Sequence, residues 1–215
     1  PRDSKFDLDV NGILNAVQDG AKVVFIASPN NPTGNITSVD DIRRILQHGS
    51  LVVVDETYFE FSGKTVLELM PEYPNLIVLR SMSKWAGLAG LRIGYGIMQP
   101  DLARMLLTIK PPYNVNRAGE VALLTSLEDR DWLMGNVQKL IKERERLRSF
   151  MTAIAGIEAM PSDANFLLCR VANGQGKALH DALAQRGVFV RYFDAPGLQE
   201  YIRVSAGLPE HSNRL

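Results

Sequence analysis

Residues 75–84 read NLIVLRSMSK, a short apolar run that gives way at residue 80 to arginine, serine and lysine. A run of this length, apolar at nearly every position and bounded by polar residues, is typical of a strand buried on both faces of a parallel sheet. The same pattern occurs upstream as VVFIA and LVVV. The sequence therefore predicts four strands in this half of the chain, at residues 23–27, 51–54, 75–79 and 93–98.

Helical patterns separate these strands. Residues 8–18 carry apolar side chains near helical spacing, and Ser38 is a typical N-cap for a second helix. We expect that second helix to run to about His48, because Gly49 is a typical terminator. Strands that alternate with helices favour right-handed crossovers, so the expected fold class is α/β, with a mostly parallel sheet and helices on both faces.

The second half of the chain predicts a smaller α+β unit after a long charged helix at residues 130–150. The other predicted elements are strands at 157–160, 166–169, 188–190 and 201–204, and a helix at 177–186. We therefore expect three parts: 1–129 in a large domain, 130–150 as a linking helix, and 151–215 as an incomplete small domain. Residues 209–215 resemble the start of a helix, so the chain is expected to be a fragment.

The composition is that of an ordinary globular protein, with 46% hydrophobic and 22% charged residues. Lys+Arg and Asp+Glu both total 24, so no overall field draws the chain to nucleic acid or to a membrane surface. A single cysteine, Cys169, excludes an intrachain disulfide and fits a reducing compartment. With no signal peptide or membrane-spanning run, the expected location is the cytoplasm. No metal site is predicted.

Polar side chains gather just after the ends of the predicted strands. Asn31 follows the first strand, Asp55 the second, and Ser81 and Lys84 the third. Open α/β sheets bind ligands at the carboxyl ends of their strands. Three separate segments are therefore expected to bring functional groups to one edge of the sheet.

Lys84 has the properties of a Schiff-base lysine. A lysine just past a buried strand is expected to be partly desolvated, and desolvation favours the free amine that attacks an aldehyde. Ser81 and Arg92 offer a hydroxyl and a planar donor fork, and both groups suit a phosphate. The alternative is a surface lysine in a glycine-rich loop.

Asp55 stands at the end of an apolar strand, where a carboxylate can pair with the protonated nitrogen of a pyridine ring. Tyr58 and the Asn31 amide are placed to reach a ring oxygen. An aspartate in this place is also a common helix cap or magnesium ligand, so these alternatives stay open.

Arg203 interrupts the apolar strand at residues 201–204. Burying an arginine is unfavourable unless it meets an anion, such as a substrate carboxylate bound by two hydrogen bonds. An internal ion pair is the alternative. Arg191 directly follows the apolar run 188–190 and suits a phosphate in the same way.

Three motifs, in this order, resemble the fold-type I aminotransferases that depend on pyridoxal 5'-phosphate (PLP). They are the turn at Asn31–Gly34, the strand end at Asp55–Tyr58, and the loop from Ser81 to Gly94. Within that group the chain is most similar to the histidinol-phosphate aminotransferases. The stretches that carry this similarity are SPNNPTG, SKWAGLAGLRIGYG, KPPYNVN and PSDANFLL, with the pair Arg191 and Arg203.

The resemblance implies PLP as cofactor and a role for each matching residue. Lys84 would form the Schiff base and then act as general base and acid, and Asp55 would contact the pyridine nitrogen. The other cofactor contacts implied are Asn31 and Tyr58 at the ring oxygen, and Ser81, Ser83 and Arg92 at the phosphate. Toward the substrate, the resemblance implies Arg203 for a carboxylate or phosphate, Arg191 for a phosphate, and Asn165 nearby.

The resemblance also implies transamination between glutamate or 2-oxoglutarate and histidinol phosphate or imidazole-acetol phosphate, by a homodimer. Such enzymes have an upstream segment that supplies a glycine-rich phosphate turn, a stacking aromatic and a tyrosine for the partner. We find none of the three here, so we expect these 215 residues alone to be inactive. The alternatives are an aromatic aminotransferase, an amino-acid-phosphate decarboxylase, or a non-catalytic fragment. A nucleotide-binding domain is not supported, because no G-x-x-x-x-G-K-[ST] loop occurs.

Overall fold

The computed structural model describes residues 2–3 and 5–215 and divides the chain into two compact units. The first unit comprises Pro1–Pro29 and Ile36–Met134, and the second comprises Asn30–Asn35 and Gly135–Leu215. The division falls inside the long helix, between Met134 and Gly135, and the short turn at Asn30–Asn35 is assigned to the second unit.

The first unit is built on a four-stranded sheet. Its strands are β1 (Val23–Ala27), β2 (Leu51–Asp55), β3 (Leu76–Ser81) and β4 (Gly94–Met98), in the order β1-β2-β3-β4. The first three strands are parallel, and β4 runs antiparallel to β3. All four predicted strands are present, and the mostly parallel α/β sheet is confirmed.

One face of this sheet forms the core of the first unit. The central strands contribute fully buried valines and a leucine, and helices α1 (Val10–Gln18) and α2 (Val39–Leu46) pack against them. Ser38 caps α2 as predicted, because its hydroxyl accepts the backbone N–H of Asp41 at 3.1 Å. Burial of the apolar stripe on each helix is what fixes both helices on the sheet.

The expectation that β1 is buried on both faces is wrong. In β1 the side chains of Val23 and Phe25 are 44% and 75% exposed. The reason is its place at the edge of the sheet, where it pairs with β2 alone. Val53, which lies opposite Phe25 on β2, is only 5% exposed because it has a strand on each side.

Three further helices complete the first unit, and none of them was predicted from the sequence. They are α3 (Phe59–Ser62), α4 (Pro100–Ile109) and α5 (Arg117–Glu128). Short 3-10 turns lie at Leu67–Leu69 and Ala89–Leu91. The second of these turns is part of the loop that carries Lys84 and Arg92.

The second unit packs most of the long helix α6 (Arg130–Ala153) on an antiparallel sheet. The strands are β5 (Ile157–Ala159), β6 (Phe166–Val171), β7 (Arg191–Tyr192) and β8 (Tyr201–Ser205), in the order β5-β6-β8-β7. The remaining helices are α7 (Gly176–Gln185) and α8 (Pro209–Arg214). The predicted strand at 188–190 is wrong, because the residues that pair with β8 are Arg191 and Tyr192.

Within residues 2–3 and 5–215, no helix combines the length and the hydrophobicity that crossing a bilayer requires. The same residues contain no group of three or more histidine, cysteine or acidic side chains arranged to hold a metal ion.

Candidate active site

The carboxyl ends of β1, β2 and β3 lie at one edge of the first sheet, because the three strands are parallel. Ala27, Asp55 and Leu79 are aligned across these strands, so Asp55 lies level with the residue two positions before Ser81. The Asp55 carboxylate is half-buried, and its Oδ1 accepts the backbone N–H of Thr57 at 2.9 Å. The sheet thus brings Asp55 and Ser81 to the same edge, as the sequence predicted.

Tyr58 lies directly before α3 and is only 6% exposed. Its ring is 6.5 Å from that of Phe61, in a tilted arrangement. The turn between β2 and α3 is closed by a hydrogen bond from the Phe59 N–H to the Glu56 carbonyl at 2.9 Å. This turn sets the position of Tyr58 relative to Asp55.

Lys84 lies in a loop that is closed at its base by backbone hydrogen bonds. The N–H of Met82 donates to Ile93 at 3.1 Å, and the N–H of Leu88 donates to Met82 at 3.1 Å. Met82 and Trp85 are buried on either side of Ser83 and Lys84, at 1% and 9% exposure. Lys84 itself is exposed, so the partial desolvation expected for its amine is not seen within the described residues. The buried neighbours fix its backbone while the amine stays accessible to a small molecule.

The loop that carries Lys84 also carries hydroxyl and guanidinium groups. The Ser81 Oγ accepts the N–H of Ser83 at 3.0 Å. Arg92 is exposed, has a left-handed backbone with φ 58°, and donates to the carbonyl of Ala89 at 3.0 Å.

At Gly94, opposite Ser81, an added Cβ atom would lie 2.9 Å from a main-chain carbonyl oxygen of β3. Glycine is therefore required there for β4 to approach β3 beside Ser81.

In the second unit, the structure brings together Asn31 and Arg203, which the sequence analysis had treated separately. A guanidinium nitrogen of Arg203 donates to the side-chain oxygen of Asn31 at 2.5 Å. The turn that carries Asn31 is closed by two backbone hydrogen bonds, from Asn30 to Asn35 at 2.8 Å and from Gly34 to Asn30 at 2.7 Å. Because Arg203 occupies its oxygen, the Asn31 amide keeps its N–H donors for another partner.

Arg191 and Arg203 lie directly opposite each other on β7 and β8. Both guanidinium groups also approach the ring of Phe193, at 5.6 and 5.8 Å from its centroid. Arg203 is in addition 4.9 Å from the ring of Phe166, whose neighbour Asn165 accepts a backbone hydrogen bond from Ala206, the residue after β8. Like charges directly opposite on a sheet repel each other, so the pair favours a bound anion.

A cavity of about 490 Å³ in the second unit is bordered by both arginines. Its polar lining includes Arg191, Arg203, Ser205, His211 and Ser212. This combination of cationic and hydroxyl donors suits a carboxylate or a phosphate.

A buried ion pair, not predicted from the sequence, lies directly next to Asp55 and Ser81 in the chain. Glu56 is 1% exposed, and its Oε2 lies 2.9 Å from a guanidinium nitrogen of Arg80. The available signal was the placement of opposite charges at the ends of two neighbouring strands. Nearby, burial raises the pKa of Glu60 to about 7, the attraction of Arg80 opposing that shift and the repulsion of Glu56 adding to it.

The chain is similar to known proteins both in sequence and in fold. Residues 2–214 match the family model described as aminotransferase class I and II. The histidinol-phosphate aminotransferase of Roseiflexus castenholzii is 48% identical over 219 residues, a match that covers 100% of this chain and 59% of the relative. The enzyme of that name from Dehalococcoides mccartyi strain 195 is 45% identical, over 100% of this chain and 60% of the relative.

Among solved structures, the histidinol-phosphate aminotransferase from Sinorhizobium meliloti in complex with pyridoxal-5'-phosphate has a TM-score of 0.90 at 28% identity. That likeness covers 100% of this chain and 60% of the other. The chain therefore spans about three fifths of the length of these three relatives. The fold class expected from the sequence is confirmed.

Proposed function

Because the chain belongs to the aminotransferase class I and II family, we propose that it carries the catalytic lysine of a PLP-dependent aminotransferase of histidine biosynthesis. The proposed reaction moves an amino group from glutamate to imidazole-acetol phosphate, giving 2-oxoglutarate and histidinol phosphate. The observation that carries the proposal is the meeting of Asp55, Ser81 and the Lys84 loop at one edge of the parallel sheet. The named relatives at 48% and 45% identity support the choice of substrate.

The donor groups of the first unit fit PLP. A carboxylate, two serine hydroxyls, a guanidinium and a primary amine come from β2, β3 and the loop after β3. When bound, PLP supplies an electron-withdrawing ring that makes the substrate Cα proton removable. The residues proposed to hold it are Asn31 and Tyr58 at the ring oxygen, Asp55 at the pyridine nitrogen, Ser81, Ser83 and Arg92 at the phosphate, and Lys84 at the aldehyde carbon.

Each of these residues has a defined task in the proposal. Asp55 keeps the pyridine nitrogen protonated, since a carboxylate next to it stabilises the positive charge. Lys84 would hold the cofactor at its aldehyde carbon. With its amine free, Lys84 would take the proton from the substrate Cα as general base and return it as general acid. The exposure of Lys84 in this chain is compatible with access for both partners.

The substrate is proposed to bind through the two opposed arginines of the second unit. Arg203 forms a two-point contact with the carboxylate of glutamate or with the phosphate of histidinol phosphate, in alternate halves of the reaction. Arg191 assists with the phosphate, and Asn165 lies beside the substrate. Support comes from the register of Arg191 opposite Arg203, which places two positive charges where a dianion offsets their repulsion.

We also propose a homodimer. Helices α4 and α5 expose large apolar side chains, which are Met105, Leu107, Ile109, Val121, Leu124 and Leu127. Exposed apolar patches of this kind mark protein–protein interfaces, and sedimentation of the full-length protein tests the dimer. A reducing compartment such as the cytoplasm is proposed as the location, because the free thiol of Cys169 is buried and unpaired with another cysteine. Cell fractionation tests that location.

The experiment that tests the function is borohydride reduction of the full-length protein followed by peptide mapping. We expect a pyridoxyl adduct on Lys84 and none after Lys84→Ala, whereas Lys22→Ala, at another exposed lysine of the same unit, keeps the adduct. An adduct at a different lysine would refute the assignment. Products from histidinol phosphate, phenylalanine and threonine phosphate are then compared, and decarboxylation of the last would replace transamination as the reaction. The 215-residue chain by itself is proposed to be inactive.

A further inference from the structure

A buried carboxylate links three segments of the first unit. The Glu56 side chain accepts the backbone N–H of Val66 at 2.8 Å, the hydroxyl of Thr65 at 2.8 Å, and two guanidinium nitrogens of Arg80 at 2.9 and 3.2 Å. With 1% of its surface exposed, Glu56 has exchanged water for these partners. Four hydrogen bonds to one carboxylate fix it far more firmly than a surface ion pair would.

Arg80 is held from a second side as well. Its guanidinium lies 3.5 Å from the centroid of the Phe59 ring, and one nitrogen donates to Thr65 at 3.0 Å. The arginine side chain is 11% exposed. Glu56 and Phe59 stand on either side of the dipeptide Thr57–Tyr58, so one guanidinium contacts both ends of the turn that carries Tyr58.

Glu56, Phe59 and Arg80 are each the chain neighbour of a residue proposed to touch the cofactor. Asp55 precedes Glu56, Tyr58 precedes Phe59, and Ser81 follows Arg80. We infer that the Glu56–Arg80 ion pair positions these three ligands relative to one another, so that the pyridine nitrogen, ring oxygen and phosphate of PLP are met together. This inference rests on the proposed function. Glu56 and Arg80 act through their neighbours and do not touch the cofactor.

Backbone pairing alone does not fix this geometry. The N–H of Glu56 donates to the Leu79 carbonyl at 2.8 Å, which aligns β2 with β3, and the N–H of Phe59 closes the turn on the Glu56 carbonyl at 2.9 Å. Neither of these bonds joins the Phe59 end of the turn to β3. The planar guanidinium of Arg80 makes this connection, because its edge donates hydrogen bonds to Glu56 while its face stacks on the Phe59 ring. A lysine ammonium keeps the charge but has neither the fork nor the flat face. The structure therefore requires arginine at position 80, and a cation alone does not suffice.

The test uses the full-length protein with the variants Arg80→Lys and Thr65→Val. The probe is PLP itself, titrated into apoprotein and followed by its visible absorbance, with thermal unfolding measured on the same samples. We expect Arg80→Lys to raise the PLP dissociation constant about 10- to 100-fold, as displacement of a ligand by a fraction of an ångström does. Thr65→Val removes one hydrogen bond from Glu56 and is expected to raise it a few-fold, which keeps the test valid if Arg80→Lys does not fold.

The matched control is Arg146→Lys. Arg146 donates two hydrogen bonds to Glu143, at 2.9 and 2.7 Å, and Glu143 is 7% exposed. This pair belongs to the second unit and neighbours no proposed cofactor residue in sequence. We expect Arg146→Lys to lower the unfolding temperature while the PLP dissociation constant stays within about twofold of the unaltered protein.

Two outcomes overturn the inference, and they are distinguishable. If Arg80→Lys and Thr65→Val lower the unfolding temperature but bind PLP as tightly as the unaltered protein, the ion pair is only structural and the proposed function stands. If the unaltered protein gives no adduct on Lys84, the proposed function fails and the inference fails with it. A rise in the dissociation constant that exceeds any change in the Arg146→Lys control supports the inference.

Discussion

Replacing Arg80 alone should destabilise the first unit severely. Replacing its partner Glu56 as well should restore part of the lost stability. In Arg80→Met the Glu56 carboxylate keeps only the Thr65 hydroxyl and the Val66 N–H, while it remains almost fully buried. Breaking a buried ion pair at one partner costs about 3–5 kcal/mol, because a charge is left uncompensated. The double variant Glu56→Gln/Arg80→Met removes both charges. We therefore expect it to be about 2 kcal/mol more stable than Arg80→Met.

The assay is urea unfolding followed by the fluorescence of Trp85. The chain has two tryptophans, and Trp85 is buried next to Lys84 in the same loop, whereas Trp132 is 69% exposed. In a Trp132→Phe background the signal reports on the unit that contains the ion pair. Comparing Glu56→Gln, Arg80→Met and the double variant then gives the coupling energy directly.

An exposed pair of the same unit is the control. Arg117 and Glu120 are 2.7 Å apart, closer than the buried pair, but their side chains are 79% and 50% exposed. Replacing either one should cost only about 0.2–1 kcal/mol, because water screens and solvates both charges. If Arg80→Met costs as little as Arg117→Met, or if Glu56→Gln and Arg80→Met are additive in the double variant, burial is not the cause and the reasoning is refuted.

Three further predictions use single residues. Gly94→Ala should destabilise the protein by about 1–3 kcal/mol and weaken PLP binding, since its Cβ would meet the Arg80 carbonyl at 2.9 Å; Gly90→Ala, with no atom within 4 Å, should be nearly neutral in urea unfolding. The raised pKa of Glu60, about 7 against an ordinary 4.5, means that the folded state binds the extra proton, so stability should fall as pH rises from about 4.5 to 7; a Glu60→Gln variant that kept this slope would contradict the assignment. Burial raises the pKa of the Cys169 thiol to about 12, so a thiol reagent at pH 8 should label it only after unfolding; rapid labelling of the folded chain would show that the strand opens.

Strands β2 and β3 were predictable because burial leaves a direct mark on the sequence. A strand with neighbours on both sides is apolar at nearly every position, and the runs at β2 and β3 show this. Helices α4 and α5 differ in this respect. In α4, Leu102, Leu106 and Ile109 recur at helical spacing, so this helix could have been predicted from the sequence. In α5 the apolar stripe is weaker, and Val121, Leu124 and Leu127 are all exposed.

The error at residues 188–190 has a different cause. Val188, Phe189 and Val190 form an apolar run, but strand formation in a two-residue edge strand is decided by the partner that accepts its hydrogen bonds. That partner is β8, which pairs with Arg191 and Tyr192. Phe189 is instead 84% exposed and outside the ladder. Apolar character alone does not distinguish these two outcomes.

The candidate site also has a part that could be predicted from the sequence and a part that could not. Asp55, Ser81 and Lys84 could be placed together because the ends of parallel strands share an edge, a rule that needs only the order of the elements. Contacts between side chains that are remote in sequence follow no such rule. Arg203 reaches Asn31 across 172 positions, and Arg80 reaches Glu56 across 24. Both depend on packing that periodicity does not encode.

The buried pair Glu56–Arg80 is better explained by the positions that it imposes on its neighbours than by a gain in the stability of the fold. Two apolar residues of similar volume often stabilise a fold as well as a buried pair or better, because they avoid the cost of desolvating two charges. A carboxylate that accepts four hydrogen bonds from two other segments does something that apolar side chains cannot, since its contacts are directional. Glu56 and Arg80 hold the turn after β2 against the end of β3 through hydrogen bonds and ring stacking. The rigidity that results is of most use where several side chains must meet one small, flat ligand, and that is the edge at which Asp55, Tyr58 and Ser81 lie.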